Sequence, residues 1–196
     1  MEILGKILGN GARVKIMRLF LLNKGKSFIS KDIVRRSRVN PLVVRKELKL
    51  LASINFIKKR SPTSLDWSFN PSFKYAVEME DLLVRSNTLN KGNILNDFKK
   101  VGQVKLIIIS GVFIRNKDSR VDLLIVGDKM NRGKIEKEIR KLEAEIGVEI
   151  VYALFETKEF IYRLSMYDKL VRDILDFPHE ILFHAKELNM EVVRHT

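Results

Sequence analysis

The 196-residue sequence contains no cysteine. Its absence excludes disulfide frameworks, zinc fingers, iron–sulfur sites and thiol nucleophiles. Long hydrophobic runs are also missing, because a purely aliphatic stretch such as Leu106 to Ile109 has only four residues, whereas a membrane span needs about 18 apolar residues. Residues 1–4 lack a basic segment followed by a long apolar one, so we expect no signal peptide, no membrane association and a cytoplasmic location.

Acidic residues are scarce in the first third of the chain. Residues 1–70 hold 16 Lys and Arg residues but only four acidic ones, a formal charge of +12 out of +13 for the whole chain. This asymmetry predicts a module that binds a polyanion, joined to a nearly neutral one. A solubilising surface is the alternative, but such a surface would not need to be confined to 70 residues.

Residues 10–69 carry the signals of three helices followed by a hairpin. Asn40-Pro41 is the strongest helix start, since Asn caps a helix and Pro at the first helical position loses no hydrogen bond. Ser30 is expected to cap the short helix before it. Arg13, Lys15 and Arg18 are interpreted as ordinary surface cations. The predicted helices and strands, in chain order, cover residues 10–23, 31–36, 41–53, 56–58 and 65–69.

This order of elements resembles the winged helix-turn-helix domains of bacterial and archaeal regulators, especially the ArsR-like group, over about residues 8–70. The resemblance implies that Pro41–Ile54 is a recognition helix for the major groove of double-stranded DNA, and that the protein is a homodimer. The residues that it places on base edges, phosphates or the wing are Lys31, Arg35, Arg36, Arg38, Asn40, Val43, Arg45, Lys46, Lys49, Lys58, Lys59 and Arg60.

The remaining sequence predicts a small α/β domain. We place the boundary after a helix over residues 70–85, so the first domain is 1–86 and the second 87–196. Apolar runs predict three buried strands, and helical spacing predicts the intervening helix and one that Thr157 caps. The runs and the helix cover residues 104–109, 121–126, 131–146 and 148–155.

This second domain resembles the minimal nucleotidyltransferases, relatives of the DNA polymerase β palm. That family places Gly-Ser at the end of one strand, Asp-x-Asp on the next and a third carboxylate later, and these carboxylates hold two Mg²⁺ ions. The matching positions here are Gly111, Val112, Arg120, Asp122 and Glu149. An arginine cannot ligate Mg²⁺, so the resemblance implies a degenerate site without metal or cofactor, in which Arg120 pairs with Asp122 or Glu149.

The sequence therefore predicts an α+β protein, a winged helix followed by a mixed-sheet nucleotidyltransferase-like domain. We expect a DNA-binding transcriptional regulator whose second domain is non-catalytic and serves dimerisation or effector sensing. One alternative is an Mg²⁺-dependent nucleotidyltransferase that acts on RNA or protein, as in toxin–antitoxin pairs, with Asp122 and Glu149 holding one metal. A third interpretation makes Arg120 the phosphate contact of a nucleotide effector.

Overall fold

A computed structural model describes residues 3–85, 91–116 and 118–188. The protein mixes helices with two separate sheets, as expected of an α+β chain. Its contacts divide it into two compact units, Met1–Thr88 with Arg140–Glu149, and Leu89–Ile139 with Ile150–Thr196. The predicted boundary between residues 86 and 87 lies outside the described residues. The sequence analysis assigned residues 140–149 to the second domain, whereas the structure groups them with the first unit.

The first unit contains several helices and one small three-stranded sheet. Its elements are α1 (Ile3–Ile7), α2 (Gly11–Leu22), β1 (Ser27–Ile29), α3 (Ser30–Ser37), α4 (Pro41–Ser53), β2 (Ile57–Lys59), β3 (Asp66–Phe69) and α5 (Ala76–Glu80). The strand order is β1-β3-β2, and both pairings are antiparallel. The predicted helix over residues 70–85 is only partly confirmed, because α5 covers its middle and a π-helical turn, Asp81–Arg85, covers its end.

The predicted start of α4 is confirmed. The Asn40 side chain accepts a hydrogen bond from the Leu42 amide at 2.9 Å, and Pro41 is the first helical residue. Ser30, in contrast, is the first residue of α3 rather than its cap, and Ile29 precedes it in an extended conformation. The core of this unit includes Phe20, which is fully buried, and the apolar face of α4 packs into the same cluster.

The second unit is built on a four-stranded mixed sheet. Its elements are α6 (Lys91–Phe98), β4 (Gln103–Ile109), β5 (Leu123–Asp128), α7 (Arg132–Ile146, whose last residues belong to the first unit), β6 (Tyr152–Phe155), α8 (Thr157–Ser165), α9 (Lys169–Asp176) and β7 (Glu180–His184). The strand order is β6-β5-β4-β7, with β5 and β6 parallel and the other pairs antiparallel. The sequence analysis predicted no strand at β7.

Both faces of the central strands are buried. Leu106 and Ile108 of β4 pack into the cluster that holds Phe160 of α8, while Ile107 and Ile109 point to the opposite face and are buried as well. A strand that is covered on both faces has a continuous apolar sequence, and this pattern predicted the strand over residues 104–109. Within the described residues, no helix has the length and apolar character that crossing a membrane requires.

Candidate nucleic-acid interface

The exposed side of α4 carries a cluster of cations. Leu42, Arg45, Lys46 and Lys49 are spaced by three or four residues, which places them on one helix face, and all four are exposed. Within the described part of the chain, neither Arg45, Lys46 nor Lys49 forms an ion pair. We call these three residues the α4 basic face. Its positive charge is not compensated locally, so it is available to an external anion.

The only acidic residue of α4 points the other way. Glu47 is 2% exposed, and its carboxylate accepts hydrogen bonds from Arg13 Nε at 2.7 Å and from Asn10 Nδ2 at 2.9 Å. Asn10 also caps α2 by accepting the Ala12 amide with its Oδ1. Glu47 therefore fastens α4 to the start of α2, and its negative charge is neutralised by Arg13 rather than by the α4 basic face.

The residues that lead into α4 have varied surroundings. Lys31 is exposed and makes no ion pair within the described residues, whereas exposed Arg35 pairs with Asp32 at 3.2 Å. Arg38 ends α3 with a left-handed φ of 53°, a conformation that turns the chain from α3 towards α4. Asn40 is exposed, but its Oδ1 is engaged in the cap described above.

The β2–β3 hairpin adds further cations. Lys58, Lys59 and Arg60 are all exposed, and the Lys59 ammonium lies 5.6 Å from the centre of the Trp67 ring on the paired strand. Within the described residues Lys58 and Arg60 form no ion pair. The hairpin thus presents a second group of cations in the same unit as the α4 basic face.

Two residues of the predicted DNA-contacting set are less exposed than the others. Arg36 is half-buried, its guanidinium lies 5.4 Å from the centre of the Phe28 ring, and it pairs with Glu149 at 2.9 Å. Val43 is also half-buried. Both residues are therefore less accessible than the cations of the α4 basic face.

The interpretation of Arg13, Lys15 and Arg18 as ordinary surface was wrong. Arg18 is 2% exposed and donates its Nε–H to the Leu83 carbonyl at 2.7 Å. A second nitrogen of Arg18 donates to the Glu145 carbonyl at 3.1 Å, and Lys15 pairs with the Glu145 carboxylate at 2.7 Å. A sequence signal existed, because Arg18 lies in the apolar stripe of α2, four residues after buried Val14.

Asp122 of the second unit is engaged with the backbone. It is 7% exposed, its Oδ1 accepts the Val112 amide, and its Oδ2 accepts the Val151 amide, each at 2.8 Å. Gly111 allows this approach: its φ is +53°, and a Cβ at this position would lie 1.9 Å from Asp122 Oδ1. The carboxylate therefore joins the turn after β4 to the start of β6.

The expected pairing of Arg120 with Asp122 or Glu149 was wrong. Arg120 Nε lies 2.6 Å from a carboxylate oxygen of Asp173 in α9, and its side chain is 53% exposed. Glu149 pairs with Arg36 of the first unit instead. The expectation assumed that the side chains of residues 120 and 122 point to the same face of a strand. That alternation holds only within a regular strand, and β5 begins after both residues, at Leu123.

The described residues contain no cluster of three or more His, Asp or Glu side chains that is able to hold a metal ion. Among the nucleotidyltransferase-like positions, Gly111, Val112 and Asp122 are brought together by the hydrogen bond from Val112. Arg120 and Glu149 are directed to other partners, as described above.

The chain matches no protein-family model, no curated protein and no solved structure. Its function is therefore inferred from the residues and their geometry alone.

Proposed function

We propose that this protein binds double-stranded DNA through its first unit and acts as a transcriptional regulator, with α4 entering the major groove. One observation carries this proposal: α4 exposes three cations without ion-pair partners in the described structure, while its only acid, Glu47, is buried against Arg13. DNA affinity is dominated by the neutralisation of phosphates by Lys and Arg, so such a face suits a duplex.

The order of elements supports the same proposal. The succession α2, β1, α3, α4, β2, β3, with strand order β1-β3-β2, resembles the order that we expect of a winged helix-turn-helix. In this arrangement α4 is the recognition helix and the turn after β2 is the wing. Lys58 and Arg60 then contact the DNA backbone beside the helix.

The residues of α4 take different roles in this complex. Arg45 is able to form a bidentate contact with guanine, whereas Lys46 and Lys49 suit phosphates, to which lysine presents a point charge. Leu42 is 73% exposed near the start of the helix, where an apolar side chain suits the methyl group of thymine. We place Arg36 outside this contact set because of its pairing with Glu149.

We also propose that the second unit does not transfer nucleotides and that the protein acts as a homodimer. Both carboxylate oxygens of Asp122 accept backbone amides, and position 120 holds the fixed cation of an arginine where nucleotidyltransferases have a metal ligand.

The dimer follows from the twofold symmetry of the sites that winged helix-turn-helix domains recognise. Light scattering on the purified chain measures its mass and tests the dimer directly.

The DNA proposal is tested by a salt titration. Fluorescence anisotropy with labelled random-sequence duplex measures log affinity against log salt concentration for the wild type, Lys46→Gln, Lys49→Gln and Lys134→Gln. Each phosphate contact contributes about 0.9 to the slope, and each α4 variant removes two contacts from a homodimer, so it is expected to lower the slope by about 1.8. Lys134 is a matched control, because it is an exposed helical lysine in α7 without an ion pair in the described chain.

The proposal fails if the wild type does not bind duplex, or if its affinity is independent of salt. It also fails in its assignment of α4 if Lys134→Gln weakens binding as much as the two α4 variants do. A selection of bound sequences from a random library then identifies the base preference expected of Arg45.

A further inference from the structure

The first unit contains a charged cavity that the proposed DNA contacts do not use. Its volume is about 290 Å³, near the lower end of small-ligand pockets. It is lined by the C-terminal part of α3, by α2 and by residues 140–149, all of which belong to the first unit. Four cations and two acids line it, namely Lys15, Arg35, Arg36, Arg140, Glu143 and Glu149. Lys15 and Arg35 are paired with Glu145 and Asp32, so the case for an anion depends on the guanidinium of Arg36.

Arg36 presents an unused donor at this cavity. The Phe28 ring covers the face of its guanidinium, and Nη2 pairs with Glu149 at 2.9 Å. Its Nε is buried and has no hydrogen-bond partner among the described residues. Buried donors in folded proteins nearly always have an acceptor, so an unpartnered one beside a cavity points to a ligand that supplies it.

The Glu149 side chain is suited to be displaced. It is 69% exposed, so it returns to water easily when an anion takes its place on Arg36. The Nε–H and one Nη2–H of a guanidinium lie parallel on the same edge and together bind the two oxygens of a carboxylate or phosphate. In the structure, Glu149 occupies the Nη2 half of that edge and the Nε half is unused.

We propose that this cavity binds a small molecule through a phosphate or carboxylate group, whose two oxygens accept from Nε and Nη2 of Arg36 in place of Glu149. Arg35, Lys15 and Arg140 line the same cavity. The remaining volume holds a small organic body attached to it. This site does not depend on whether the first unit binds DNA.

Isothermal titration calorimetry on the full chain tests the proposal at constant ionic strength. Inorganic phosphate and malonate are titrated in separate arms, which distinguishes the two anion chemistries. We expect saturable binding of at least one of them, weakened at least tenfold by Arg36→Gln and partly restored by Arg36→Lys, which keeps the charge but lacks the fork. Lys134→Gln, an exposed helical lysine that does not line the cavity, is expected to leave the affinity unchanged.

Glu149→Gln provides an independent readout if Arg36→Gln disturbs folding. Removing the competing carboxylate is expected to tighten binding of the same anion at least threefold. The proposal is overturned if neither anion binds saturably, if Arg36→Gln and the wild type bind equally, or if Lys134→Gln weakens binding as much as Arg36→Gln. It is also overturned if Glu149→Gln leaves the affinity unchanged.

Discussion

Replacing Glu47 by Gln tests the orientation of α4, on which the proposed DNA contact depends. The carboxylate accepts three hydrogen bonds, from Arg13 Nε at 2.7 Å, Arg13 Nη2 at 3.4 Å and Asn10 Nδ2 at 2.9 Å, and it is almost completely buried. A hydrogen bond to a charged group contributes about 1.5–3 kcal/mol. Gln keeps one acceptor oxygen but places an NH₂ group where the other oxygen was, so the hydrogen bonds to that second oxygen are lost.

Partial solvation of Arg13 limits the loss of stability in Glu47→Gln. The Arg13 side chain is 29% exposed, so it regains some hydration when its partner is neutral, and the cost falls short of the about 3–5 kcal/mol of a fully buried broken pair. We expect the free energy of unfolding to fall by about 2 kcal/mol. With a typical urea dependence of about 2 kcal/mol per molar, the midpoint falls by about 1 M.

Urea unfolding followed by tryptophan fluorescence measures this loss. Trp67 is the only tryptophan and lies in β3 of the same unit, so its signal reports the unit that contains Glu47. Lys46→Gln, the exposed neighbour, is the control and is expected to change stability by less than about 0.5 kcal/mol. Because Glu47 and Arg13 are in contact, Arg13→Gln added to Glu47→Gln is expected to cost less than the sum of the two single changes.

The DNA affinity of Glu47→Gln shows whether Glu47 faces the duplex or faces α2. A carboxylate that faced the duplex would repel phosphates, so its removal would tighten binding, whereas a buried one that faces α2 leaves DNA affinity nearly unchanged. An unchanged urea midpoint together with tighter DNA binding would refute the reasoning, because it would place Glu47 on the DNA side of α4.

Three further predictions concern local geometry, and urea unfolding followed by circular dichroism checks each of them. Gly111→Ala is expected to cost about 3 kcal/mol or more, because its Cβ would collide with Asp122 Oδ1 and its φ is left-handed; a loss below about 1 kcal/mol would contradict the close approach. Asp122→Ala is expected to cost about 2–4 kcal/mol through two lost hydrogen bonds from backbone amides, whereas Arg120→Ala costs at most about 1 kcal/mol, since the Arg120 side chain is 53% exposed; equal losses would refute the contrast. Asn40→Ala is expected to cost about 1 kcal/mol, and Asn40→Ser to recover most of it, because both Asn and Ser cap helices.

Local signals were sufficient where a structural choice depends on adjacent residues. The Asn40-Pro41 start of α4 was recognised because a capping side chain and a proline act within one helical turn. The β4 strand was recognised because both of its faces are buried, which leaves a continuous apolar run.

Local sequence patterns predicted strand boundaries wrongly where contacts between distant residues determine them. The strand predicted over residues 121–126 begins at Leu123, and Asp122, just before it, accepts the amides of Val112 and Val151 with its side chain. The strand predicted over residues 148–155 begins only at Tyr152, since Gly147 turns the chain with a φ of +90° close to the backbone of α2.

The same distinction between local and long-range contacts applies to the candidate site. The sequence identified the cations of α4 and the hairpin, because charge and helical spacing are visible along the chain. It did not identify the partners of Glu47, Arg36 and Arg120, since each pairs with a residue that is distant in sequence. Arg13 and Arg36 both appear as surface cations in a helical pattern, yet one neutralises a buried acid and the other faces a cavity.

By itself, the sequence determined that the positive charge lies in the first 70 residues, that α4 begins at Pro41, and that the second unit has a buried sheet. These properties depend on composition and on neighbours within a few residues. Only the tertiary structure decided which cations remain without ion pairs and that Asp122 serves as a link between backbone segments. An ion pair depends on distance in space, and residues such as Arg36 and Glu149 become neighbours only when the chain is folded.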